Sequence, residues 1–299
     1  MNPSPSPSAY LASGLDADLP VIDAHHHIWD LHANLHPWLR DEPPPAFRYG
    51  DSRPLRRNYL PADYRRDAAG QQIVATVYME AEHDPADPLR ETRWVHEVAA
   101  RDGLPQAMAA AAFLDRDDAA AIIRGQAAFP LVRSIRHKPR GVARAPDYQA
   151  DHRIPGSMRC PRWRLGYRHL ADSGLHFELQ TPWWHLGDAL ELARDFPDTL
   201  IILNHLGLPA DRSDSGLSAW RESMAALAAA PNVRVKLSGI CVPGHAWTVE
   251  RNGWIVREAI ALFGAERCLW ASNFPVDGLV SEFAEILQAM RTITAGLPR

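Results

Sequence analysis

The chain has 299 residues, of which 46% are hydrophobic and 23% charged, and its formal net charge is -4. This is the composition of an ordinary globular protein, and the length suffices for one large barrel or two smaller domains. The sequence contains neither a basic stretch suited to nucleic acid nor an apolar segment of about 20 residues that could span a membrane, so we expect neither partner.

Three cysteines lie far apart in the sequence, at positions Cys160, Cys241 and Cys268. An odd number of cysteines without a closely spaced pair argues against a disulfide framework and against a structural zinc site. The first ten residues lack the basic start and the apolar stretch of a secretion signal. We therefore expect a cytoplasmic protein with a disordered tail over residues 1–18.

The first predicted strand starts at Val21 and leads into three consecutive histidines. Side chains alternate along a strand, so His25 and His27 share one face. In a parallel barrel both imidazoles would lie inside the carboxyl-terminal mouth, where such barrels carry their chemistry. The pair therefore indicates a metal or proton-transfer site, with a histidine cluster on a solvated turn as the alternative.

Seven further apolar runs of strand length follow, separated by segments of helical period. Eight such units in a chain of this length predict a (β/α)8 TIM barrel, with a doubly wound sheet as the alternative. No glycine-rich phosphate loop follows a strand, which argues against nucleotide binding. The predicted strands are Val21 to His25, Ile73 to Met79, Gln106 to Phe113, Leu131 to His137, Leu175 to Gln180, Leu200 to Asn204, Val233 to Ser238 and Cys268 to Ser272.

The connection after the first strand, about Ile28 to Ala68, is too long and too rich in proline and tryptophan for a simple barrel helix. Long irregular connections are uncommon in compact domains unless they form a lid or a binding surface. Because this one follows the histidine strand, we predict that it forms part of the pocket wall. The alternative is a surface excursion whose Trp38 and Tyr59 merely cover the barrel.

Charged side chains stand at the ends of the second and fourth predicted strands. Glu80 and Glu82 follow the second strand as candidate ligands or proton acceptors. Arg136 ends the fourth strand, where a guanidinium group can bind a carboxylate or polarise a carbonyl. The alternatives are ordinary loop carboxylates for the two acids and a structural ion pair for the arginine.

The fifth and sixth predicted strands also end in polar groups. Gln180 is followed by Trp183 and Trp184, which form an aromatic rim suited to a planar or sugar-like ligand, or else pack under the loop. His205 comes directly after a buried apolar run and is the second strong signal for a site.

The last two predicted strands complete the set of strand-end polar groups. The seventh strand supplies Lys236 and Ser238, and the eighth is followed by Asn273. Asp277 lies where it could cap the amino terminus of the next helix.

Four of these motifs resemble the amidohydrolase superfamily, and within it the amidohydrolase-related (amidohydrolase 2) group of TIM-barrel hydrolases, which includes sugar-acid lactonases and a pyrone-dicarboxylate lactonase. The resemblance covers about residues 20–295 and implies one barrel domain over residues 19–299. It also implies a hydrolase that attacks the ring carbonyl of a small carboxylated or sugar-acid lactone with water. The motifs are Asp23 to Asp30, Ile135 to His137, Asn204 to Pro209 and Ser272 to Val276.

One position departs from the superfamily pattern, which generally has aspartate at the end of the eighth strand where this chain has Asn273. An amide can orient a water molecule, but it cannot accept a proton near neutral pH. The exchange also removes a negative charge and a hard ligand, so a divalent cation would be held less firmly. We therefore expect either one weakly bound divalent metal ion, zinc first, or none.

The polar residues at the strand ends and the resemblance to the amidohydrolase superfamily together predict an active site. Glu80 ranks first as the base, because it ends its strand with no local structural reason to be there. The predicted metal ligands are His25, His27 and His205; the predicted catalytic residues are His25, His27, Glu80, His205 and Asn273; the predicted substrate-binding residues are Arg136, Gln180, Trp29 and Lys236.

Two other classes of function stay open at this point. One is a metal-dependent decarboxylase or lactone isomerase, because related barrels hold similar carboxylated rings. The other is a non-catalytic barrel that binds small acids, which Asn273 makes more credible. A small carboxylate or lactone is the expected partner in each case, and the sequence leaves a homo-oligomer open.

Overall fold

The computed structural model describes residues 18–297, in which eight strands form one parallel sheet in chain order. The predicted TIM barrel is confirmed, and each predicted strand is present with ends that differ from the prediction by two residues at most. The predicted tail lies outside the described residues except for Asp18. The strands are β1 (Val21–His26), β2 (Ile73–Met79), β3 (Ala107–Ala111), β4 (Val132–Arg136), β5 (His176–Leu179), β6 (Ile201–Leu203), β7 (Val233–Leu237) and β8 (Cys268–Trp270).

The helices of the described residues surround this sheet, and four of them carry proline at the first helical position, where its missing N–H costs nothing. Gly103 ends the third helix in the left-handed conformation. The helices are α1 (Pro37–Arg40), α2 (Pro61–Asp67), α3 (Pro88–Asp102), α4 (Ala119–Ala127), α5 (Pro161–Tyr167), α6 (His169–Asp172), α7 (Leu186–Asp195), α8 (Asp214–Ala228), α9 (Val249–Phe263) and α10 (Phe283–Thr294).

The barrel is joined between β1 and the segment after β8. The backbone N–H of Asn273 donates to the carbonyl of His25 at 2.8 Å. The Asp23 carboxylate accepts the backbone N–H of Ser272 at 2.9 Å, the Ser272 hydroxyl at 2.6 Å and the Tyr64 hydroxyl at 2.8 Å. Asp23 is fully buried. It therefore fastens the first strand to the last and is occupied by structural contacts.

The three consecutive histidines divide between two environments, as the alternation of a strand predicts. The middle one, His26, has its Nε2 3.0 Å from the Thr76 hydroxyl and its ring centroid 4.6 Å from that of Tyr64. His26 thus packs against Thr76 and Tyr64. The Nε2 atoms of His25 and His27, in contrast, lie 3.3 Å from each other. The outer two histidines are thus the pair at the mouth of the barrel.

The long connection after β1 is fixed to the barrel by its own ends. Trp29 and Tyr59 exchange backbone hydrogen bonds of 2.8 and 3.0 Å, and both side chains are fully buried. The Trp29 indole donates to the carbonyl of Arg57 at 2.7 Å. Between these anchors the chain forms α1 and an irregular segment that covers one side of the barrel mouth.

Two expectations about the whole chain concern cysteines and membranes. Cys160, Cys241 and Cys268 all carry free thiols, as predicted. No helix within residues 18–297 is both long and apolar enough to cross a membrane.

Candidate active site

A cavity of about 410 Å³ opens at the carboxyl ends of the strands. Five of the predicted site residues line it, each from the end of a different strand: His27, Arg136, Gln180, His205 and Asn273. The long connection contributes Trp38, Phe47 and Arg48 to the same cavity. The prediction that this connection forms part of the pocket wall is therefore confirmed.

His25 and His27 bring their Nε2 atoms to 3.3 Å. The Nδ1 of His27 lies 2.9 Å from the Met79 carbonyl, and a carbonyl only accepts hydrogen bonds, so Nδ1 carries the proton and Nε2 keeps its lone pair. The Nδ1 of His25 is buried without a hydrogen-bond partner. His27 is thus held as a base or ligand, with His25 completely buried behind it.

His205 forms the opposite side of this histidine group, with its ring centroid 4.6 Å from that of His25. Its Nδ1 lies 3.0 Å from the Ser238 hydroxyl. Gly239 packs directly against the ring, because a Cβ there would come within 2.2 Å of the His205 Nδ1. Glycine at 239, with φ of +62°, is therefore the residue that lets the β7 end approach this imidazole.

The three imidazoles of the site are neutral at physiological pH. Burial is the main cause that holds the pKa of His25, of His27 and of His205 well below the usual value, because a charged ring would lose its hydration. Nearby positive charges act in the same direction, Arg48 first for His205 and Arg136 first for His27. Neutral imidazole is the form that binds metal and accepts protons.

Arg136 is buried and paired with Glu80. Its Nε donates to one Glu80 carboxylate oxygen, and the other oxygen accepts the backbone N–H of Glu82 at 2.8 Å. The Arg136 Nη1 reaches the Gln180 side-chain oxygen at 3.4 Å. Glu80 therefore holds the guanidinium in place at the cavity edge, and both of its oxygens already have partners.

Asn273 faces the cavity but donates away from it. Its Nδ2 hydrogen-bonds to Asp277 Oδ1 at 2.6 Å. The same carboxylate accepts the Tyr49 hydroxyl at 3.0 Å and the backbone N–H of Gly239 at 3.2 Å. The interpretation of Asp277 as a helix cap is wrong, because α10 starts after Glu282 and Asp277 is a buried hydrogen-bond acceptor beneath the site.

Lys236 lies below the cavity rather than in its wall. Its Nζ is 2.8 Å from Glu178 Oε1, and the two side chains are 1% and 2% exposed. Glu178 also accepts a hydrogen bond from Asn204. Burial lowers the Lys236 pKa, while the adjacent Glu178 carboxylate raises it. The pair joins β5 to β7 under the site.

Two of the predicted substrate-binding residues do not reach the cavity surface. Lys236 is occupied by Glu178, and Trp29 is fully buried with its ring centroid 5.7 Å from that of Trp38. Trp29 therefore supports the wall from behind. The sequence reasoning missed Arg48 and Glu178. Glu178 could have been found, because an acidic residue within an apolar strand indicates a buried charge with a partner. Arg48 lies in an irregular segment, where no pattern predicts its position.

Strained backbone is concentrated around the cavity. The non-glycine residues with positive φ in the described chain are Glu82, His205, Leu206, Leu208 and Asn273, all between +54° and +57°. All of them except Leu206 line the cavity. Such conformations are costly for residues with a Cβ and persist where the surrounding structure enforces them, typically at functional sites.

A second group of histidine and carboxylate side chains lies outside the cavity. Asp188 accepts hydrogen bonds from Tyr148, His152, His185 and Arg159, at distances of 2.6 to 3.0 Å. His152, His185 and Asp188 have the spacing of a metal site. Because the carboxylate is already fully hydrogen-bonded and paired with a guanidinium, we interpret the group as a clamp that holds the segment before α5 onto α7.

The donor set of the main site fits part of a divalent metal centre. Tetrahedral zinc holds imidazole nitrogens at about 2.0–2.1 Å, which places two of them about 3.3–3.4 Å apart. His25 and His27 match that spacing at 3.3 Å. Within residues 18–297, His205 does not bring a ring nitrogen within 4.8 Å of both. Two of the three predicted ligands therefore fit the ion.

The amino-acid sequence of the barrel matches a known family over residues 22–299, the amidohydrolases of the Amidohydro_2 type. The chain belongs to the amidohydrolase family. This membership covers nearly all of the described barrel, in agreement with the resemblance seen in the four motifs, and it indicates a hydrolase.

Two sequence relatives and one solved structure are similar to this amidohydrolase. The uncharacterized protein y4mH of Sinorhizobium fredii is 38% identical over 281 residues, which is 94% of this chain and 93% of that protein. An L-fucono-1,5-lactonase of Burkholderia ambifaria is 29% identical over 265 residues, 88% of this chain and 83% of that one. The crystal structure of an amidohydrolase from Burkholderia multivorans with bound zinc has a TM-score of 0.74 at 21% identity and covers 94% of this chain and 93% of its own; it shares the fold.

Proposed function

We propose that this amidohydrolase opens the ring ester of a small carboxylated or sugar-acid lactone by attack of water on the ring carbonyl. The observation that carries the proposal is the meeting of neutral imidazole, guanidinium and carboxamide groups in one cavity. A neutral imidazole can accept a proton, and guanidinium and amide groups bind carbonyl and hydroxyl oxygens. The lactonase relative supports the reaction class.

Arg136 and Gln180 are the proposed binding partners of the substrate carbonyl. The guanidinium is fixed by Glu80 and lies at the cavity surface beside the Gln180 amide. Charge that develops on the carbonyl oxygen during attack is stabilised by donors that are already oriented. We assign to these two residues the binding and polarisation of the ring carbonyl.

His205 is our candidate for proton transfer. In the tautomer in which Nδ1 donates to Ser238 Oγ, Nε2 has a lone pair and accepts a proton from the attacking water. The water oxygen then bonds to the ring carbonyl carbon. As the ring C–O bond breaks, the imidazolium returns the proton to the leaving ring oxygen, so lactone and water give a hydroxy acid.

Sequence reasoning ranks Glu80 first as the base, but its contacts favour a different role. One oxygen is paired with Arg136 and the other accepts a backbone N–H. A carboxylate with both oxygens occupied is poorly placed to take a proton from water. We therefore assign Glu80 to positioning Arg136.

His25 and His27 are the residues that would hold a divalent ion such as zinc, as their spacing indicates. When bound, such an ion supplies Lewis acidity and lowers the pKa of a coordinated water. The zinc-containing neighbour supports this assignment. Metal analysis of the purified protein, with and without dialysis against a chelator, measures the stoichiometry directly.

The test is a screen of aldonolactones and aromatic-derived lactones with proton release as the readout. We expect turnover of at least one lactone, and a loss of about 100-fold or more in kcat/KM for His205→Asn. His245→Asn removes an exposed imidazole outside the cavity and serves as the matched control. Full turnover by the His205→Asn enzyme would refute the assignment of the proton transfer.

The mass of the product separates the alternative functions in the same assay. Hydrolysis adds the mass of water, decarboxylation removes carbon dioxide, and isomerisation changes nothing. A non-catalytic barrel would be stabilised against thermal unfolding by lactones or sugar acids that it does not consume. Asn273, which donates to Asp277 in place of acting as a base, is the observation that favours this last alternative.

A further inference from the structure

We infer that Arg48 is the anion-binding residue of the cavity and that the preferred substrates are ring lactones that carry a carboxylate group, in preference to neutral lactones. The inference rests on the proposed function for the location of the ligand in this cavity and for its being a lactone. Arg48 was not singled out by its sequence context, because it lies in the irregular part of the long connection.

The cationic side chains that line the cavity differ in their partners. Arg136 is paired with Glu80, and Lys138 is paired with Glu82. Arg48 makes no ion pair with any carboxylate among residues 18–297; its guanidinium donates to the carbonyl of Gly239 at 3.1 Å. The buried Asp277 carboxylate acts on Arg48 only from beyond ion-pair distance, so Arg48 is the one of these three cations that no carboxylate of the described residues contacts directly.

Two contacts orient the exposed Arg48 side chain without neutralising its charge. Its guanidinium carbon lies 4.6 Å from the centroid of the Tyr49 ring, which is a cation–π contact. Tyr49 is itself fixed by its hydrogen bond to Asp277. A guanidinium that is oriented in advance loses less conformational freedom on binding a carboxylate, which raises affinity.

The location of Arg48 connects it to the proposed chemistry. Gly239, whose carbonyl accepts the Arg48 hydrogen bond, packs directly against the His205 ring. Arg48, His205 and Asn273 also line the same cavity. A carboxylate held by Arg48 therefore places the attached ring next to the imidazole proposed to move the proton.

The wall beside Arg48 suits the ring itself. Phe47 and Trp38 stack with their ring centroids 5.9 Å apart and their planes within 10° of each other. The Trp38 indole donates to the Ala81 carbonyl at 2.9 Å, which fixes the orientation of the pair. An apolar wall next to one unneutralised cation matches a ring with a carboxylate substituent.

The test measures binding of ring carboxylates by calorimetry, with no turnover required. The probes are benzoate and isophthalate, each compared with its neutral amide. For the wild-type chain we expect millimolar or tighter binding of the carboxylates and weaker binding of the amides. Arg48→Gln should weaken carboxylate binding by about 10- to 100-fold, the range for one charge-assisted hydrogen-bonded contact, and leave amide binding unchanged.

The matched control is Arg57→Gln, which removes the same charge from the same connection. Arg57 also stacks on a tyrosine, with its guanidinium carbon 5.5 Å from the Tyr59 centroid, but it does not line this cavity. We expect it to bind all probes like the wild type. The Arg48→Lys variant keeps the positive charge but lacks the planar set of N–H donors of a guanidinium. We expect it to bind carboxylates with intermediate affinity.

The outcomes separate this inference from the proposed function. Equal binding of carboxylates and amides, equal weakening by Arg57→Gln, or no carboxylate binding at millimolar concentration would each overturn the role of Arg48. Hydrolysis of neutral lactones alone would overturn the substrate class while leaving the hydrolase intact. Carboxylate binding that depends on Arg48, in a chain that hydrolyses no lactone, would support the anion site and refute the lactonase.

Discussion

Asn273 lies where the family pattern has aspartate, so from the sequence alone it resembles the loss of a catalytic group. In the structure its amide group donates to the buried Asp277 carboxylate. Two carboxylates could not make that contact without a shared proton. Asn273 is therefore matched to Asp277.

The first prediction concerns this match. Asn273→Asp places two carboxylates at hydrogen-bond distance in a site where both residues are 1% exposed. One of them must hold a proton, so the pKa of the pair is raised in the folded state, and stability is present at low pH and lost as pH rises. We expect a loss of about 1–3 kcal/mol in the free energy of unfolding at pH 8, shrinking towards pH 5, measured by urea unfolding.

The double variant Asn273→Asp with Asp277→Asn is the control for that prediction. It restores one carboxylate and one amide with the positions exchanged, so it should recover much of the lost stability at pH 8. An Asn273→Asp chain as stable as the wild type at pH 8 would contradict the matched pair.

The residues that line the cavity divide into those that sequence reasoning could find and those that it could not. His27, Arg136, Gln180, His205 and Asn273 were found because each follows an apolar strand, and strand ends meet in a parallel barrel. Their positions in the cavity are established, and their chemical roles stay predictions. Arg48 has no such periodic context, so its place in the cavity depended on the path of the connection.

At the level of strands, buried charges join neighbouring elements under the site. Glu178 in β5 accepts from Lys236 in β7 and from Asn204 after β6. The contact ties three consecutive strands together beneath the histidines. Removing one partner of such a pair leaves a buried charge without compensation, which costs far more than an exposed ion pair contributes.

The second prediction follows from this geometry. Lys236→Met leaves the Glu178 carboxylate buried and without its cation, and we expect a loss of about 3–5 kcal/mol in the free energy of unfolding, measured by urea denaturation. The double variant Lys236→Met with Glu178→Leu should recover at least half of that loss. Arg234→Met, on the same strand, removes a side chain that bonds only backbone carbonyls and should change stability little. A similar loss for both single variants would contradict the prediction.

The strands could be predicted from the sequence more completely than the long connection after β1. All eight strands were predicted because apolar runs of four to eight residues alternate with helical segments. The long connection was recognised as a pocket wall from its length and composition, and it does line the cavity. Its internal path, including the stacking of Phe47 on Trp38, depends on contacts with the barrel and had no sequence signal.

For the whole molecule, burial of many histidines makes stability depend on pH. Burial lowers the pKa of eight imidazoles, that of His36 to about 4: His25, His26, His27, His36, His83, His137, His176 and His205. Below about pH 6.5 the unfolded chain takes up protons that the folded chain does not, so stability is lost as pH falls. Two buried carboxyls with raised pKa, Glu91 at about 8 and Asp277, act in the opposite direction but are outnumbered.

The third prediction is the resulting profile. The free energy of unfolding should fall as pH is lowered from about 6.5 towards 5, with each imidazole contributing up to about 1.4 kcal/mol per pH unit. Urea unfolding across this range measures the slope. His36→Asn should reduce the slope, whereas His245→Asn, at an exposed position, should leave it unchanged. A wild-type profile that is flat below pH 6.5 would contradict the neutral state of the buried imidazoles.

Apolar patterning in the sequence was enough to predict the barrel and the end of it at which the cavity opens. The spacing of apolar residues reports burial locally, and parallel strands bring their carboxyl ends to one place whatever the loops do. The tertiary structure alone decided which polar groups face the cavity and which neutralise each other. Arg136 meets Glu80 across 56 positions and Lys236 meets Glu178 across 58, and no local pattern encodes such distances. The same pairing leaves the charge of Arg48 for a ligand, because ion pairs form between elements that the fold has already brought together.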